Sequence, residues 1–270
     1  MKTFISSLLF CVLIITTVPA QPYPVRPVRI IATSTPGSVV DIFSRAIAEP
    51  LSKALGQQIV IDNRVGAGGT LAAGQALAAE PDGHTLLVNT SAHVVSHHVF
   101  TNIGFDLIRD FAGVTPFAIL PNVLVVAPQR PWKTVRDLIT AVQAKPGSFS
   151  YGTGTGTGTH MSAERFRMAA GLQAVQVPYK GTPEALVDLV AGRIDWSLVP
   201  PSSGLPLIRD GRIRAIAIDK RNPQLPELQS FTELGLKDAD FPFWVGMFVN
   251  AKVPRSVVRR LHADTTKVMQ

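Results

Sequence analysis

Short apolar runs alternate with segments of helical periodicity along most of this chain, and this alternation limits the folds it can adopt. Residues 28–32, 59–61 and 85–88 are rich in aliphatic and β-branched side chains, as buried strands are. Between the first two, apolar residues recur at helical spacing over residues 39–55, and Gly56 ends that pattern. Strands joined through helices pair in parallel with right-handed crossovers, so the pattern predicts an α/β fold.

A second unit of the same kind begins near Pro121. Its predicted strands are residues 122–126, 149–151, 174–177, 194–199 and 213–218. Residues 243–249 form a further predicted strand that returns the chain, and a helix that opens at Pro254 follows it. The chain therefore crosses twice between two α/β units, and the cleft between such units is the usual place for a small ligand.

The first twenty residues have the pattern of an export signal. Lys2 is followed by an apolar run over residues 8–15 and by small residues ending at Ala20, so residues 1–20 are expected to be a cleaved signal peptide. The run is too short to anchor the chain permanently in a bilayer. Cleavage would remove Cys11, the only cysteine, which excludes disulfides and thiolate chemistry from the mature chain. Because an exported chain without disulfides is more typical of the bacterial periplasm than of the extracellular space of animals, a periplasmic location is expected.

The composition excludes disorder and argues against nucleic acid as a partner. Apolar residues make up 46% of the chain and charged residues 17%, so the chain can bury a core. The net charge is +7, but the basic residues are scattered, and Arg259 and Arg260 form their densest pair. Nucleic-acid binding needs a clustered basic face, so an anionic small ligand is the better interpretation of the charge.

A Gly-Thr dipeptide repeats four times over residues 152–159, between a predicted strand and a predicted helix. Glycines let backbone N–H groups approach a ligand, the threonine hydroxyls add donors, and a helix N-terminus favours an anion. A flexible, low-complexity linker is the alternative interpretation. The repeat does not match a nucleotide-binding phosphate loop.

Two further polar loops occupy equivalent places in the first unit. Residues 33–38 follow the first predicted strand and precede a helix, while Thr90 and Ser91 follow the third strand. Each could be an ordinary polar turn. Open α/β sheets bind ligands at the carboxyl ends of their parallel strands, so three such loops together predict a binding site.

Metal and catalytic sites have little support. His93, His97 and His98 share a helical segment, but no cysteine or acidic pair lies nearby to complete a metal site, although His93 could touch a ligand carboxylate. No Gly-x-Ser-x-Gly motif is present. The carboxylates that follow predicted strands or open a helix are expected to order loops or to lie at the surface: Asp41, Asp62, Asp195 and Asp219. No catalytic residue, metal or cofactor is therefore predicted.

The order and spacing of many short motifs resemble one known family. The motifs are Pro36-Gly37 with Asp41, residues 55–56, 62–64, 66–69, 81–83 and 90–91, His93, residues 121–126, His160, and residues 177–181, 211–215 and 244–246. In this order they resemble the periplasmic solute receptors of tripartite tricarboxylate transporters, also called Bug-type receptors. The resemblance spans roughly residues 25–270.

This resemblance implies a type II periplasmic binding protein, in which two α/β domains are joined by hinge strands and close on a ligand in the cleft. Residues 21–121 and 249–270 would form the first domain, and residues 122–248, including hinge strands, the second. The ligand would be a di- or tricarboxylate, an acidic amino acid or an aromatic acid. A monomeric receptor would deliver it to membrane transporter subunits.

The resemblance also implies ligand-binding residues on both domains. The first domain would contribute Thr33, Ser34, Thr35, Pro36, Gly37, Ser38, Thr90 and Ser91, with Asp41 ordering the helix after the first loop. The second domain would contribute Thr153, Thr155, Thr157, Thr159, His160 and Pro200.

The sequence departs from the family pattern at several of these positions. Ser34 replaces an aromatic residue, Ser38 replaces a glycine, residues 39–40 replace Gly-Thr, and residues 198–200 replace Phe-Asp-Asn. Family members also continue past the last residue of this sequence, so a shortened first domain with part of an apolar face uncovered is expected. Two alternatives stay open: a sensor that signals to a membrane kinase, and a periplasmic enzyme acting on a small anion.

Overall fold

The computed structural model describes residues 23–100 and 102–270. The predicted signal peptide, residues 1–20, lies outside the described residues. Within the described ranges, no helix is long and apolar enough to cross a membrane.

The first half of the chain alternates strands and helices, as the sequence pattern predicts. Its elements are β1 (Val28–Ala32), α1 (Val39–Leu55), β2 (Ile59–Asn63), a 3-10 turn (Ala67–Gly69), α2 (Thr70–Ala78), β3 (Thr85–Thr90), α3 (Ala92–Val99) and β4 (Phe111–Leu120). Two local signals fix α1: the Ser38 side chain caps its first turn, and Gly56 ends it in a left-handed conformation with φ 70°.

The second half repeats the alternation and then returns. Its elements are β5 (Val123–Val126), α4 (Val135–Ala144), β6 (Ser150–Gly154), α5 (Gly158–Ala169), β7 (Val175–Tyr179), α6 (Thr182–Val190), β8 (Trp196–Val199), α7 (Pro201–Arg209), β9 (Arg214–Ile218), β10 (Phe243–Asn250) and α8 (Arg255–Val268). Thr134 and Asp137 form a complete capping box at the start of α4.

The strands form two five-stranded sheets, one in each domain. The first has the order β2-β1-β3-β10-β4 and the second the order β7-β6-β8-β5-β9. Both are mixed rather than purely parallel, because β10 runs antiparallel to β3 and β4, and β5 runs antiparallel to β8 and β9. Those antiparallel strands are the ones next to the two crossings between domains.

Strand β10 belongs to the first sheet along its whole length, Phe243–Asn250. The resemblance implies that residues 243–248 belong to the second domain with its hinge strands, whereas the structure has them in the first sheet, so the chain returns to the first domain earlier than expected. Strand β4, Phe111–Leu120, was not predicted from the sequence, and it pairs with β10 over eight registered positions. The apolar pattern of β4 is interrupted by Gly113 and Pro116, which hides the strand from a pattern-based prediction.

Each sheet buries its own core. In the first domain, β1, β3 and β10 pack against α1 and α8 through residues such as Ile30, Leu51 and Leu261, which are fully buried. In the second domain, Trp196 stacks on Tyr151 with ring centroids 4.5 Å apart. These two cores hold the carboxyl ends of β1, β3, β6 and β8 toward the gap between the domains.

Candidate ligand-binding site

A small cavity lies between the two domains, where four helices begin. Its volume is about 30 Å³, which is room for about two water molecules. The wall consists of hydroxyl-bearing, small and a few apolar residues: Thr33, Ser34, Ser38, Val39, Val40, Gly68, Asn89, Thr90, Ala92, Thr157, Gly158, Thr159, Gly181, Thr182 and Phe243. Among the described residues, no charged side chain lines this inner cavity.

The wall residues include the first turns of α1, α3, α5 and α6. A helix N-terminus presents unpaired backbone N–H groups and a partial positive charge, and each favours an anion by about 0.3–1 kcal/mol. Four such ends converge on one cavity whose other polar groups are mostly hydroxyls and an amide. The arrangement suits a small anion that is held by neutral donors.

A larger, more open compartment adjoins the inner cavity on one side. Its volume is about 450 Å³, and it shares Thr33, Gly68 and Thr157 with the inner cavity. Apolar, aromatic and charged side chains complete its wall, among them Val65, Phe100, Pro178, Tyr179, Lys180 and Glu184. The inner cavity can therefore hold an acidic group while the rest of a ligand occupies the outer compartment.

The first loop, residues 33–38, is held in place by two polar residues, the buried Asp41 and the half-buried Asn63. The Gly37 N–H donates to Oδ2 of Asp41 at 3.0 Å, and Nδ2 of Asn63 donates to the Ser34 carbonyl at 2.9 Å. Arg45 donates to the same Asp41 carboxylate at 2.9 Å. Burial acts to raise the pKa of Asp41, but the bonds from Arg45 and Gly37 outweigh it and hold the pKa below its usual value. Asp41 thus orders the loop as an ionised carboxylate, in the role the sequence suggested.

The Gly-Thr repeat is ordered by its flanking elements rather than behaving as a linker. Its first residues belong to β6, and Thr157 caps α5 while donating from Oγ1 to the Gly154 carbonyl at 2.6 Å. The Gly156 N–H donates to Nδ1 of His160 at 3.1 Å. Burial lowers the pKa of His160, so this ring is neutral at pH 7 and acts as an acceptor.

Asn89 is a wall residue that the sequence analysis missed. Its Oδ1 accepts from Oγ1 of Thr33 at 2.9 Å and from the Thr90 N–H at 2.8 Å. It therefore ties the ends of β1 and β3 together under the cavity. A single asparagine directly after the predicted strand, residues 85–88, gives no sequence signal for this role.

The two domains meet through glycines and aromatic rings. A Cβ atom at Gly68 would lie 2.7 Å from the Gly156 carbonyl oxygen and 2.8 Å from Cε2 of Phe100. A Cβ atom at Gly158 would overlap the ring of Phe243, and one at Gly181 would overlap Oγ1 of Thr35. None of these contacts was predicted, because each joins segments far apart in the sequence.

The structure places the predicted ligand-binding residues in three groups. Six line the inner cavity: Thr33, Ser34, Ser38, Thr90, Thr157 and Thr159. Thr155 lines only the outer compartment. The others lie outside both walls: Thr35, Pro36, Gly37, Asp41, Ser91, Thr153, His160 and Pro200.

Several residues of the last group still lie close to the cavity. Oγ of Ser91 is buried without a hydrogen-bond partner among the described residues, and a Cβ atom at Gly158 would lie 3.0 Å from it. Thr153 is buried in β6, where its hydroxyl accepts from Gln176 at 3.4 Å. Pro200 is buried immediately before α7 and does not reach the cavity.

The histidine cluster forms no metal site. His93 is 1% exposed, stacks on Phe248 with ring centroids 4.2 Å apart, and lies outside the cavity wall, so it is not placed to touch a ligand carboxylate. Burial lowers its pKa to about 4, which keeps it neutral. Within the described ranges, no group of three metal-ligating side chains occurs.

Two more of the carboxylates that were expected to order loops or to lie at the surface, Asp195 and Asp219, are buried. Asp195 is 4% exposed and bonds to Arg130 and to the Ser150 N–H, so it joins β8 to β6 rather than lying at the surface. Asp219 is also 4% exposed and pairs with no basic side chain among the described residues. Burial raises its pKa to about 7.

The fold and the cleft together define a two-domain α/β binding protein, and comparison with known proteins agrees. Over residues 43–270 the chain matches the family described as "Tripartite tricarboxylate transporter family receptor". The chain belongs to this family.

A curated relative, a UPF0065 protein of Pseudomonas sp., is 35% identical over 92% of this chain and 75% of its own length. Solved relatives have the same fold. The adipate-bound protein of R. palustris is 32% identical with a TM-score of 0.86, covering 90% of this chain and 83% of its own. MatC of Rhodopseudomonas palustris with bound malate is 29% identical with a TM-score of 0.87, covering 91% and 85%. The periplasmic binding protein BugD is 27% identical with a TM-score of 0.86, covering 91% and 83%. Two of these solved relatives therefore hold a carboxylate, adipate or malate.

Proposed function

We propose that this protein is a periplasmic receptor that binds a small organic carboxylate in the interdomain cleft and delivers it to a tripartite tricarboxylate-type membrane transporter. The observation that carries the proposal is the convergence of four helix N-termini on a hydroxyl-lined cavity to which the described part of the chain contributes no charged side chain. Membership of the receptor family and the adipate and malate complexes of its relatives support the same ligand class.

The binding free energy is reached without catalysis. Hydrogen bonds to a charged group contribute roughly 1.5–3 kcal/mol each, and each helix end contributes about 0.3–1 kcal/mol. Several such bonds from the hydroxyls of Ser38 and Thr90, which accept but do not donate among the described residues, and from nearby backbone N–H groups offset the cost of closing the domains. Micromolar affinity, about −8 kcal/mol, is the expected result.

The closed form is the species that a transporter would recognise. Gly68 of the first domain and Gly156 of the second are in contact, so closure buries the cavity. A carboxylate that bridges both walls binds the closed arrangement better than the open one and shifts the equilibrium toward it.

Calorimetry with a panel of acids and their neutral amides tests the proposal. Adipate, malate, glutamate and benzoate would be titrated beside adipamide and benzamide. At least one acid is expected to bind with micromolar affinity, while its amide gives no binding heat. An acid and its amide binding equally, or no acid binding at all, would overturn the anion site. The transport role requires that cells lacking this protein lose uptake of the acid that binds, and unchanged uptake would contradict that role.

A further inference from the structure

Three buried polar side chains form a cluster beside the first crossing between the domains. Asn122, Ser162 and Asp219 are each at most 4% exposed. Nδ2 of Asn122 donates to Oγ of Ser162 at 3.0 Å and more weakly to Oδ2 of Asp219 at 3.4 Å. The cluster therefore joins three elements: the start of β5, the end of β9 and the first turns of α5.

Asn122 and Asp219 are also neighbours through the backbone. Val123 pairs with Ile218 in the antiparallel ladder, and the Asp219 N–H donates to the Asn122 carbonyl at 3.0 Å. The two side chains are therefore cross-strand neighbours at the edge of the sheet, where Cβ atoms lie about 4.5–5.5 Å apart. Asn122 lies between β4 of the first sheet and β5 of the second, at the crossing itself.

The cluster reaches the cavity through α5. Oγ of Ser162 donates to the Gly158 carbonyl at 3.1 Å, and Gly158 and Thr159 line the inner cavity. The position of this anion-facing turn therefore depends on Ser162, whose second contact in the cluster is Asn122. Through these bonds the Asp219 carboxyl is connected to the ligand-binding wall.

Two oxygens of the cluster have no partner at full hydrogen-bond geometry within the described ranges, although the backbone N–H groups of Asn122 and Lys220 lie near the Asp219 carboxyl and lower its pKa by less than burial raises it. Oδ1 of Asn122 and Oδ1 of Asp219 are buried without a hydrogen-bond partner among the described residues. An unpaired buried oxygen costs about 1–3 kcal/mol. One proton on Asp219 would let its carboxyl donate to the Asn122 amide oxygen, so that a single group satisfies both atoms.

The charged groups around Asp219 do not supply a countercharge. Directly after β9, the neighbouring Lys220 is exposed, and its charge lowers the pKa of Asp219 by less than burial raises it. In the segment after β9, Arg221 is paired with Glu233 at 2.8 Å. From α5 the cluster receives the uncharged Ser162, while the ring of His160 is engaged by Gly156.

We propose that Asp219 is a positioning residue that holds the anion-binding turn of α5, through Asn122 and Ser162, only while it is protonated, so that the receptor takes up a proton when it binds its carboxylate. The inference rests on the proposed function and adds a proton as a second, coupled ligand of the same protein. When Asp219 is ionised, its carboxylate draws Nδ2 of Asn122 away from Ser162. It also places an unpaired negative charge near the N-terminus of α5, which is the end of the helix that attracts the anionic ligand.

The coupling between protonation and ligand binding predicts how much the affinity changes with pH. Burial raises the pKa of Asp219 to about 7, so the free receptor is largely protonated near pH 6 and largely ionised near pH 8. If only the protonated form binds, affinity falls about tenfold between these pH values, and uptake approaches one proton per ligand near pH 8. Burial lowers the pKa of His160 and so favours its neutral form, and any proton that His160 exchanges would persist in Asp219→Asn, which separates it from the effect of Asp219.

Calorimetry of the acid identified by the panel, at pH 6, 7 and 8, tests the inference. Titrations at pH 8 in HEPES and in Tris give the number of protons taken up from the difference in heat. The wild type is expected to lose about tenfold in affinity from pH 6 to pH 8 and to take up close to one proton at pH 8. Asp219→Asn, which keeps a neutral donor at this position, is expected to bind at every pH as the wild type does at pH 6, with no proton uptake.

Asp210→Asn is the matched control, because Asp210 is an exposed aspartate at the end of α7. It should keep the wild-type pH dependence. Wild-type binding without pH dependence, or an Asp219→Asn variant that retains the tenfold loss, would overturn the inference and leave the receptor function intact. Failure of every acid to bind even at pH 6 would instead overturn the receptor function, and this inference with it. A carboxyl carbon signal of Asp219 that titrates near pH 4 in NMR would overturn the inference without any ligand.

Discussion

Gly68 and Gly156 approach each other across the domain gap with no side chain between them. A Cβ atom on Gly156 would lie 3.1 Å from the Cα atom of Gly68, and the ring of Phe100 covers both residues. Both glycines have positive φ, 60° and 75°, which other residues adopt only with strain. The structure thus has a closed domain arrangement, in which backbone meets backbone at the edge of the cavity.

Closure can be tested at a glycine that carries no backbone strain. Gly181 has an extended φ of −175°, but an added methyl group would collide with Thr35 of the other domain. Gly181→Ala should therefore oppose closure and weaken carboxylate binding at least tenfold, about 1.4 kcal/mol, without lowering the free energy of unfolding. Calorimetry gives the affinity, and urea unfolding gives the stability.

Gly113→Ala is the control for Gly181→Ala. A methyl group at Gly113 in β4 meets no atom within 4 Å, so both affinity and stability should stay close to wild type. If Gly181→Ala bound its ligand as tightly as the wild type, the contact between Thr35 and Gly181 would not belong to the ligand-bound form.

Local signals explain the parts of the fold that the sequence predicts well. Helix α4 begins at Val135 because the Thr134–Asp137 capping box is complete within four residues, a signal that can be read from the sequence alone. Strand β4 is not predicted, because eight of its ten residues pair with β10, whose residues lie more than a hundred positions away. Partners at such separation decide the structure of a segment whose own pattern is ambiguous.

The site could be predicted only in part, for the same reason. The hydroxyl-rich loops were found because loop composition and position after a strand are local features, and six of their residues line the cavity. Phe100, Phe243 and Asn89 were missed because their roles depend on contacts between distant segments. Asp219 was expected at the surface or in a loop-ordering role, and it is buried by its neighbours Asn122 and Ser162.

The hydroxyl of Thr157 should contribute to both folding and binding. It caps α5 and lines the cavity, so Thr157→Ala should lower the free energy of unfolding by about 1 kcal/mol and weaken carboxylate binding. Thr134→Ala removes an equivalent cap from α4, far from the cavity wall. It should cost similar stability and leave the affinity unchanged. If Thr157→Ala bound the carboxylate as tightly as Thr134→Ala does, the Thr157 hydroxyl would not contribute to ligand binding.

Asp41 should act on binding through the first loop, since it lies outside the cavity wall. Asp41→Asn loses the ionic bond to Arg45 and weakens the bond from Gly37, so affinity should fall several-fold. Because the pKa of Asp41 is lowered on folding, its stabilising contribution is present above its unfolded pKa of 3.8 and is lost as pH falls through the lower folded value. Unfolding at pH 2–5 measures this effect.

Glu49→Gln provides the comparison for Asp41→Asn. Glu49 and Lys53 form an ion pair at the same spacing on α1, but both side chains are at least 75% exposed. Exposed pairs contribute little, so this variant should match the wild type in affinity and stability. A loss of affinity in Glu49→Gln equal to that in Asp41→Asn would mean that α1 as a whole, rather than the loop contact, controls binding.

The stability of the ligand-free protein should report Asp219 independently of binding. The pKa of Asp219 rises from 3.8 in the unfolded chain to about 7 in the folded one, because folding buries the carboxyl. Its ionisation therefore favours the unfolded state, and the wild type loses stability through this group as pH rises from about 4 to 7, with no further loss above.

Relative to Asp219→Asn, the free energy of unfolding of the wild type should fall by about 3 kcal/mol between pH 5 and pH 8. The fall should be about 1.4 kcal/mol per pH unit until pH 7. Urea unfolding of both proteins across this range measures the difference, and other carboxyl groups cancel because the two chains share them. Parallel stability profiles would show that Asp219 is ionised in the folded protein, and in that case the cluster with Asn122 and Ser162 would hold a charge rather than a proton.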